Sequence, residues 1–135
     1  MRIIGGMRNV HIWALVVLLA IASLAWAGGG QGSNDAAAKK EREKIAQLQK
    51  AYEKAKSAYK AKPRDEKTRK AFVQAATLYA RTTMYSTALA PKEKYPVALR
   101  VYREVLKADP KNQEARQSVD TIESIYTSMG RPIPK

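Results

Sequence analysis

The sequence lacks cysteine, which excludes disulfide bonds, thiolate nucleophiles and cysteine-ligated zinc. It has one histidine, His11, and two tryptophans, Trp13 and Trp26, and all three lie in the first 27 residues. Acidic residues are scarce: the chain has 12 Asp and Glu against 25 Lys and Arg, which gives a formal net charge of +13. Its one glycine cluster, at 28–30, does not have the form of a phosphate-binding loop. These absences exclude most classes of enzyme.

The first 27 residues have the three parts of an export signal. Arg2 and Arg8 form a positive start without any acidic residue, residues 12–24 are almost continuously apolar, and Ala-Trp-Ala at 25–27 offers small residues for a signal peptidase. The alternative is an uncleaved membrane anchor, although the apolar run extends over only about 16 to 18 residues, against about 20 for a spanning helix. We therefore expect a periplasmic or secreted protein, with an anchored protein as the alternative.

Removal of residues 1–27 would leave about 108 residues, enough for one domain with a modest core. The net charge would fall from +13 by the two arginines to +11, and no His, Trp or Cys would remain. Carboxylates are then the only catalytic option, and Asp120 and Glu123, one helical turn apart, are best explained as solvated surface acids. We expect no enzymatic activity, no metal site and no cofactor.

The remaining chain predicts an all-α domain. Residues 28–34 (GGGQGSN) are predicted to form a flexible tether. About four amphipathic helices are predicted over 35–131, followed by a short tail at 132–135. The first helix is expected from Asn34 or Asp35 to about Ala61, where Pro63 ends it. The second follows at once and loosens after Tyr85. The third helix is expected to start near Tyr95-Pro96. The fourth is expected to begin after an N-cap at Asn112 and to stop at Gly130.

Apolar residues at steps of three and four mark the inward face of each helix. On the first helix, exposed pairs such as Glu53 with Lys56 are expected to support the opposite faces. The tyrosines mostly fall on these inward stripes, so we interpret them as core residues rather than as a platform for stacking bases. The first stripe comprises Ile45, Leu48, Ala51, Tyr52, Ala55, Ala58 and Tyr59.

Two of the predicted helix breaks are alike. Pro63 and Pro110 stand 47 residues apart, and each lies between two helices. The run YPVALRVYREVLKADPKNQEA at 95–115 resembles the second helix of a tetratricopeptide repeat (TPR) and the turn after it. The residues that match the repeat pattern are Tyr95, Ala98, Leu99, Tyr102, Leu106, Asp109, Pro110, Asn112, Glu114 and Ala115.

The resemblance implies a short TPR-like array of helical hairpins that binds a protein or peptide. Small Ala98 would admit a neighbouring helix, Tyr102 and Leu106 would fill the space between helices, and Pro110 would fix the turn. The 47-residue spacing exceeds the 34-residue period of the family, and the Leu-Gly pair typical of the preceding helix is missing. In such repeats the first helix of each pair lines the concave face, which implies contact residues at Gln74, Thr77, Arg81, Arg116 and Thr121. A simple four-helix bundle is the alternative to this interpretation. With so few repeats, we expect partner binding or self-association to complete the fold.

Positive charge supports a second hypothesis. Thirteen Lys and Arg lie between Lys39 and Lys70, so a field of this sign would attract anionic surfaces such as phospholipid or cell-wall polymer. Interspersed Lys and Glu that merely solvate a long helix would also explain the pattern. Export argues against nucleic acid as a partner. The leading expectation is thus an exported, non-catalytic interaction module, with binding to an anionic envelope surface as the alternative.

Overall fold

Helices make up most of the described chain. The computed structural model describes residues 31–135, which contain no strand, and residues 35–135 form one compact unit. The prediction of an all-α fold with four helices is confirmed for this part of the chain. The helices are α1 (Gln31–Ala61), α2 (Glu66–Met84), α3 (Pro91–Ala108) and α4 (Gln113–Ser128).

The first helix begins earlier than the sequence predicted. The export-signal segment, residues 1–27, and the start of the tether, 28–30, lie outside the described residues. Residues 31–34 are already helical, so α1 begins at Gln31 instead of Asn34 or Asp35. Each residue added to an existing helix gains a hydrogen bond without a new nucleation cost, which extends the helix into a weakly helix-forming sequence. Residues 31–34, which the sequence analysis assigned to the tether, thus belong to α1.

Two turns of the same construction join α1 to α2 and α3 to α4. After Pro63, the Asp65 carboxylate accepts a hydrogen bond of 2.8 Å from the backbone N–H three residues later. After Pro110, the Asn112 side-chain oxygen accepts one of 3.0 Å from the equivalent N–H. Each side chain satisfies a backbone donor that has no partner within its helix. The predicted cap at Asn112 is confirmed, and the 47-residue spacing of the prolines recurs in the caps.

The third helix starts before the predicted position. It begins at Pro91 with Ala90 as N-cap, and the Glu93 carboxylate accepts a 3.0 Å hydrogen bond from the Ala90 N–H. Pro91 therefore takes the first-turn role that the sequence analysis gave to Pro96. Pro96 instead lies inside the helix. Its ring removes one backbone donor there, but the buried residues that follow it in α3 hold the helix together through packing.

Aromatic side chains hold α1 against α2. The rings of Tyr52 and Tyr79 stack with centroids 5.3 Å apart, and those of Tyr59 and Phe72 stack at 5.2 Å. Because a later residue of α1 meets an earlier residue of α2, the two helices form an antiparallel hairpin. The Tyr52 ring is fully buried, and the larger core built around it extends through α2, α3 and α4.

A polar cluster joins α1 to α3 at the edge of this core. The Tyr52 hydroxyl donates to Glu104 Oε2 at 2.7 Å, and Lys56 Nζ donates to Glu104 Oε1 and to the Tyr52 hydroxyl, both at 2.9 Å. Arg100 adds a longer contact of 3.8 Å to the same carboxylate. Burial alone would raise the pKa of Glu104, but the hydrogen bonds from Lys56 and Tyr52 outweigh it and hold that pKa below its ordinary value. Lys56 thus pairs across helices rather than with Glu53 as expected.

Two alanines of the predicted inward stripe of α1 are exposed. Ala51 and Ala58 lie on the surface, while Ile45 and Tyr52 are buried and Tyr59 is half-buried. The predicted stripe was too wide because α1 has neighbouring helices on one side only within the described residues. Alanine is a strong helix former, so its presence on a helix did not by itself indicate burial.

The end of α4 is closed by its glycine. Gly130 has a φ of 62°, and its N–H bonds to the Thr127 carbonyl at 3.0 Å while the Arg131 N–H bonds to the Tyr126 carbonyl at 3.0 Å. This is the pattern in which a left-handed residue terminates a helix, so the predicted stop is confirmed. Met129, the C-cap residue of α4, is half-exposed. The predicted tail, 132–135, is non-helical, and its Pro134 carbonyl accepts a 2.7 Å hydrogen bond from Arg103. The outward side of α4 is polar and exposed at Asp120, Ser124 and Thr127, and Arg131, beyond the end of the helix, is exposed as well.

Replacement of Asn112 by alanine should lower the free energy of unfolding by about 1 kcal/mol, because the first turn of α4 loses its cap. Urea denaturation followed by circular dichroism measures this change. Gln113→Ala, on the exposed neighbouring position, is the matched control and should change stability by less than about 0.5 kcal/mol. Equal effects of the two substitutions would contradict the capping role.

Glu104 should make stability depend on pH. Its lowered pKa means that the folded state binds the proton more weakly than the unfolded chain, so the stabilisation is present above the ordinary glutamate value of 4.5 and is lost as pH falls below it. Glu104→Gln should cost about 1 kcal/mol at pH 7 and flatten the decline in unfolding free energy between pH 6 and 3. Glu53→Gln, at an exposed position of α1, should leave that decline unchanged. A decline as steep in Glu104→Gln as in the original chain would refute this assignment.

Candidate functional site

One face of α2 carries exposed side chains of a kind that usually lie against another molecule. Gln74, Leu78, Arg81 and Tyr85 follow one another at steps of four, three and four, which places them on one side of the helix. Leu78 is 45% exposed and Tyr85 is 70% exposed, although both are large and apolar or aromatic. The opposite side of α2 carries Phe72 and its neighbours in the core. This outward stripe is therefore additional to the amphipathic pattern that folds the helix.

The start of α4 forms a second wall opposite this stripe. Arg81 Nε donates to Glu114 Oε1 at 2.7 Å, and the guanidinium makes a second, bidentate contact with the other carboxylate oxygen. The cleft between the two helices has a volume of about 360 Å³. We call it the α2–α4 groove, and its lining residues are Arg81, Tyr85, Glu114, Gln117, Ser118 and Thr121.

Charge within the groove is largely compensated. The hydrogen bonds to the Glu114 carboxylate raise the pKa of Arg81, so this side chain stays positively charged. Tyr102 of α3 lies beneath, where its hydroxyl donates to Glu114 Oε1 at 3.3 Å. Burial raises the pKa of Tyr102 to about 12, so its hydroxyl keeps its proton at neutral pH. The groove thus offers an aromatic surface, amide and hydroxyl groups and one internal ion pair, a composition suited to binding a polypeptide.

The predicted contact residues occupy different environments. Arg81 and Thr121 line the α2–α4 groove, and Gln74 lies further along the same exposed stripe. Arg116 is exposed, but its guanidinium donates to the Pro110 carbonyl at 2.7 Å and so bonds to the turn. Thr77 differs most from the expectation, because it is only 8% exposed and its hydroxyl is buried. It sits one position off the outward stripe and packs into the domain.

The residues predicted to have structural roles lie close to the core. Ala98 and Tyr102 are fully buried, and Leu106 is half-buried against the core cluster. Pro110 is exposed in the turn before α4, and its carbonyl accepts the hydrogen bond from Arg116.

Sequence analysis missed the two most exposed apolar side chains of the groove face. Tyr85 was taken as the start of a loosened segment, and Leu78 was not considered because it falls off the inward stripe. The signal that could have found them is the outward spacing itself, since Leu78 and Tyr85 are seven residues apart, two turns along one face. Two large apolar residues that share an outward face of an amphipathic helix make that face a candidate contact surface.

The carboxylates considered for catalysis are separated by their contacts. Asp120 is exposed, while Glu123 accepts a 2.8 Å hydrogen bond from Arg103 of α3. In residues 31–135 no three carboxylate or imidazole groups are arranged to hold a metal ion. None of the four described helices has both the length and the apolarity that crossing a bilayer requires.

Basic side chains cover the outer surface of α1 and the turn after it. Exposed lysines occur along the helix, whereas Lys56 and Arg69 are only partly exposed because they bond to other helices. Arg69 donates to the carbonyl of Ala108, at the end of α3. The exposed basic residues of this surface are Lys39, Lys40, Arg42, Lys44, Lys50, Lys54, Lys60, Lys62, Arg64, Lys67 and Lys70.

Comparison with known proteins adds no relative. No protein-family model, curated protein or solved structure matches the chain. Its functional assignment therefore depends on the geometry described above.

Thr77 provides a test of which side of α2 faces the core. Its buried hydroxyl has no hydrogen-bond partner among the described residues, so Thr77→Val should leave the free energy of unfolding unchanged or raise it by up to about 1 kcal/mol. Thr77→Ser keeps the hydroxyl, loses the methyl group and should destabilise by about 1 kcal/mol. Thermal and urea denaturation measure both. If Thr77→Val destabilised the protein more than Thr77→Ser, the hydroxyl would have to possess a partner.

Proposed function

We propose that this chain is an exported helical-hairpin module that binds a protein or peptide in the α2–α4 groove and has no catalytic activity of its own. The observation that carries the proposal is the exposed stripe of α2, where Leu78 and Tyr85 stand beside Arg81. Interfaces are enriched in tyrosine and arginine, and such residues supply much of the binding energy where they become desolvated. The rigid helices that present the stripe would reduce the entropy lost on binding.

The proposed relationship to TPR proteins is supported by two features of the chain. The capped turns after Pro63 and Pro110 repeat at 47 residues, and the residues matched to the TPR pattern, such as Ala98 and Tyr102, are in the core. In this proposal α2 and α4 are the first helices of successive repeats, and the groove between them is the concave face. The longer period is accommodated by the extended helices and by the connection from Tyr85 to Ala90.

Peptide selection would test the groove directly. Peptides selected from a random library on the immobilised protein should lose affinity by at least about tenfold for Leu78→Ser/Tyr85→Ser, because a buried aromatic anchor contributes well over 1.4 kcal/mol. The matched control is Ala51→Ser/Ala58→Ser, which alters two exposed positions of α1. Affinity would be measured by fluorescence anisotropy, and unchanged folding by circular dichroism.

Selected peptides that bind the groove variant and the original protein equally would overturn the proposal, as would failure of any sequence to be enriched. Loss of affinity in the α1 control alone would place the interface elsewhere.

Export is the second part of the proposal and is supported by the order of charge, apolar run and small residues in 1–27. Mass spectrometry of the protein recovered from its native compartment should show an N-terminus at Gly28. Recovery with Met1 and the apolar segment retained in a membrane fraction would support the anchored alternative instead.

Binding to an anionic envelope surface is the competing function, favoured by the exposed basic residues of α1. It predicts sedimentation with vesicles containing anionic lipid, or with anionic wall polymer, and a steep decline of binding as salt increases. Lys50→Gln/Lys54→Gln should then weaken binding, whereas Leu78→Ser/Tyr85→Ser should not. Absence of salt-dependent sedimentation would eliminate this alternative.

A further inference from the structure

A second concave surface lies away from the α2–α4 groove and shares none of its lining residues. It is a cleft of about 310 Å³ between the last turns of α1 and α3 and the first half of α2. Tyr59, Phe72 and Ala108 line its apolar part, and the Tyr59 and Phe72 rings stack almost parallel, at 9°. The volume falls within the range of small-molecule sites. We call this cleft the α1–α3 pocket.

Two lysines on neighbouring helices stand at the rim of this pocket. Lys60 belongs to the last turn of α1 and Lys107 to the last turn of α3, and they are 47 residues apart. This is also the spacing of the two capped turns, so the lysines occupy equivalent positions in the two hairpins. Because the polar cluster places α1 beside α3, the repeat itself sets two like charges around one cleft.

The charges of these two lysines are not neutralised within the described part of the chain. Lys56, which also lines the pocket, forms an ion pair of 2.9 Å with Glu104. Lys60 and Lys107 form no ion pair with any carboxylate of residues 34–135. The pocket therefore combines an apolar floor, one internally neutralised wall and an excess of two positive charges at the rim.

We propose that the α1–α3 pocket binds a small amphiphilic anion, with a phosphate or carboxylate head between Lys60 and Lys107 and an apolar body on Tyr59 and Phe72. Both halves of the ligand follow from the lining. A bare anion would leave the apolar floor in water, and a neutral apolar molecule would leave the two ammonium groups uncompensated. The shared chemistry could come from a soluble aromatic anion or from a single-chain lipid.

Titration calorimetry on the full chain would test this proposal with probes that separate these sources. 2-Naphthyl phosphate represents the soluble aromatic anion. Dodecyl phosphate, used below its micelle concentration, represents the single-chain lipid. 2-Naphthol and inorganic phosphate each supply one half of the chemistry. We expect saturable binding of at least one amphiphile, at least about tenfold tighter than either half-probe, since one lost charge interaction or the lost apolar contact exceeds about 1.4 kcal/mol.

The test variant is Lys60→Gln/Lys107→Gln, and the matched control is Lys92→Gln/Lys135→Gln, which removes the same charge from exposed positions that line neither the pocket nor the basic surface of α1. The first should weaken amphiphile binding by at least about tenfold and the second by less than about twofold. Both retain residues 1–30, so ligand taken up by that apolar segment cancels in the comparison. Circular dichroism would verify that both variants fold.

Four outcomes would overturn the proposal. The first is the absence of saturable binding, and the second is equal loss in the two variants, which would indicate general electrostatic attraction. The third is binding of 2-naphthol as tight as that of its phosphate, and the fourth is binding of inorganic phosphate as tight as that of the amphiphiles. None of these measurements involves the α2–α4 groove, so their failure leaves the proposed polypeptide binding independently testable.

Discussion

The attachment of α1 through Tyr52 is the constraint on which the rest of the architecture depends. The Tyr52 ring is buried between aromatic residues of α2, and the Tyr52 hydroxyl donates a hydrogen bond to Glu104 of α3. A hydroxyl at that depth would be costly without a partner, and Glu104 would be costly without Lys56. The three groups therefore fix the register of α1 against α3. That register brings the last turns of the two helices together and so forms the α1–α3 pocket.

Helix boundaries that a single local residue sets were more predictable from the sequence than the starts of α1 and α3. Pro63, Asn112 and Gly130 each act through a local backbone effect, so their positions could be assigned without knowledge of the fold. The start of α3 depended on a choice between Pro91 and Pro96, and both prolines suit a first turn. Local rules did not decide between them, because the stability of a helix that contains a proline comes from packing at distant residues.

The candidate site was predicted in part, for a related reason. Arg81 and Thr121 were assigned through the implied order of helices and do line the groove, whereas the same argument placed buried Thr77 on the surface. Successive residues of a helix point about 100° apart around its axis. An error of one position therefore exchanges a contact residue for a core residue. Tyr85 was missed because it lies at the boundary of a helix, where periodicity gives the least information.

The polar outward side of α4 is unsuited to packing against a further helical hairpin. Phe72 and Tyr79 of α2 have buried equivalents 47 residues later, at Val119 and Tyr126. Val73, Ala80 and Met84 are also buried or half-buried in α2, but the residues 47 positions later are exposed and polar: Asp120 and Thr127 in α4, and Arg131 after it. A third hairpin stacked on α4 would bury an acid, a hydroxyl and a guanidinium without partners. Two side chains of α4 and the residue after Gly130 therefore disfavour the packing of another hairpin on this side, although the capped turns themselves would permit one.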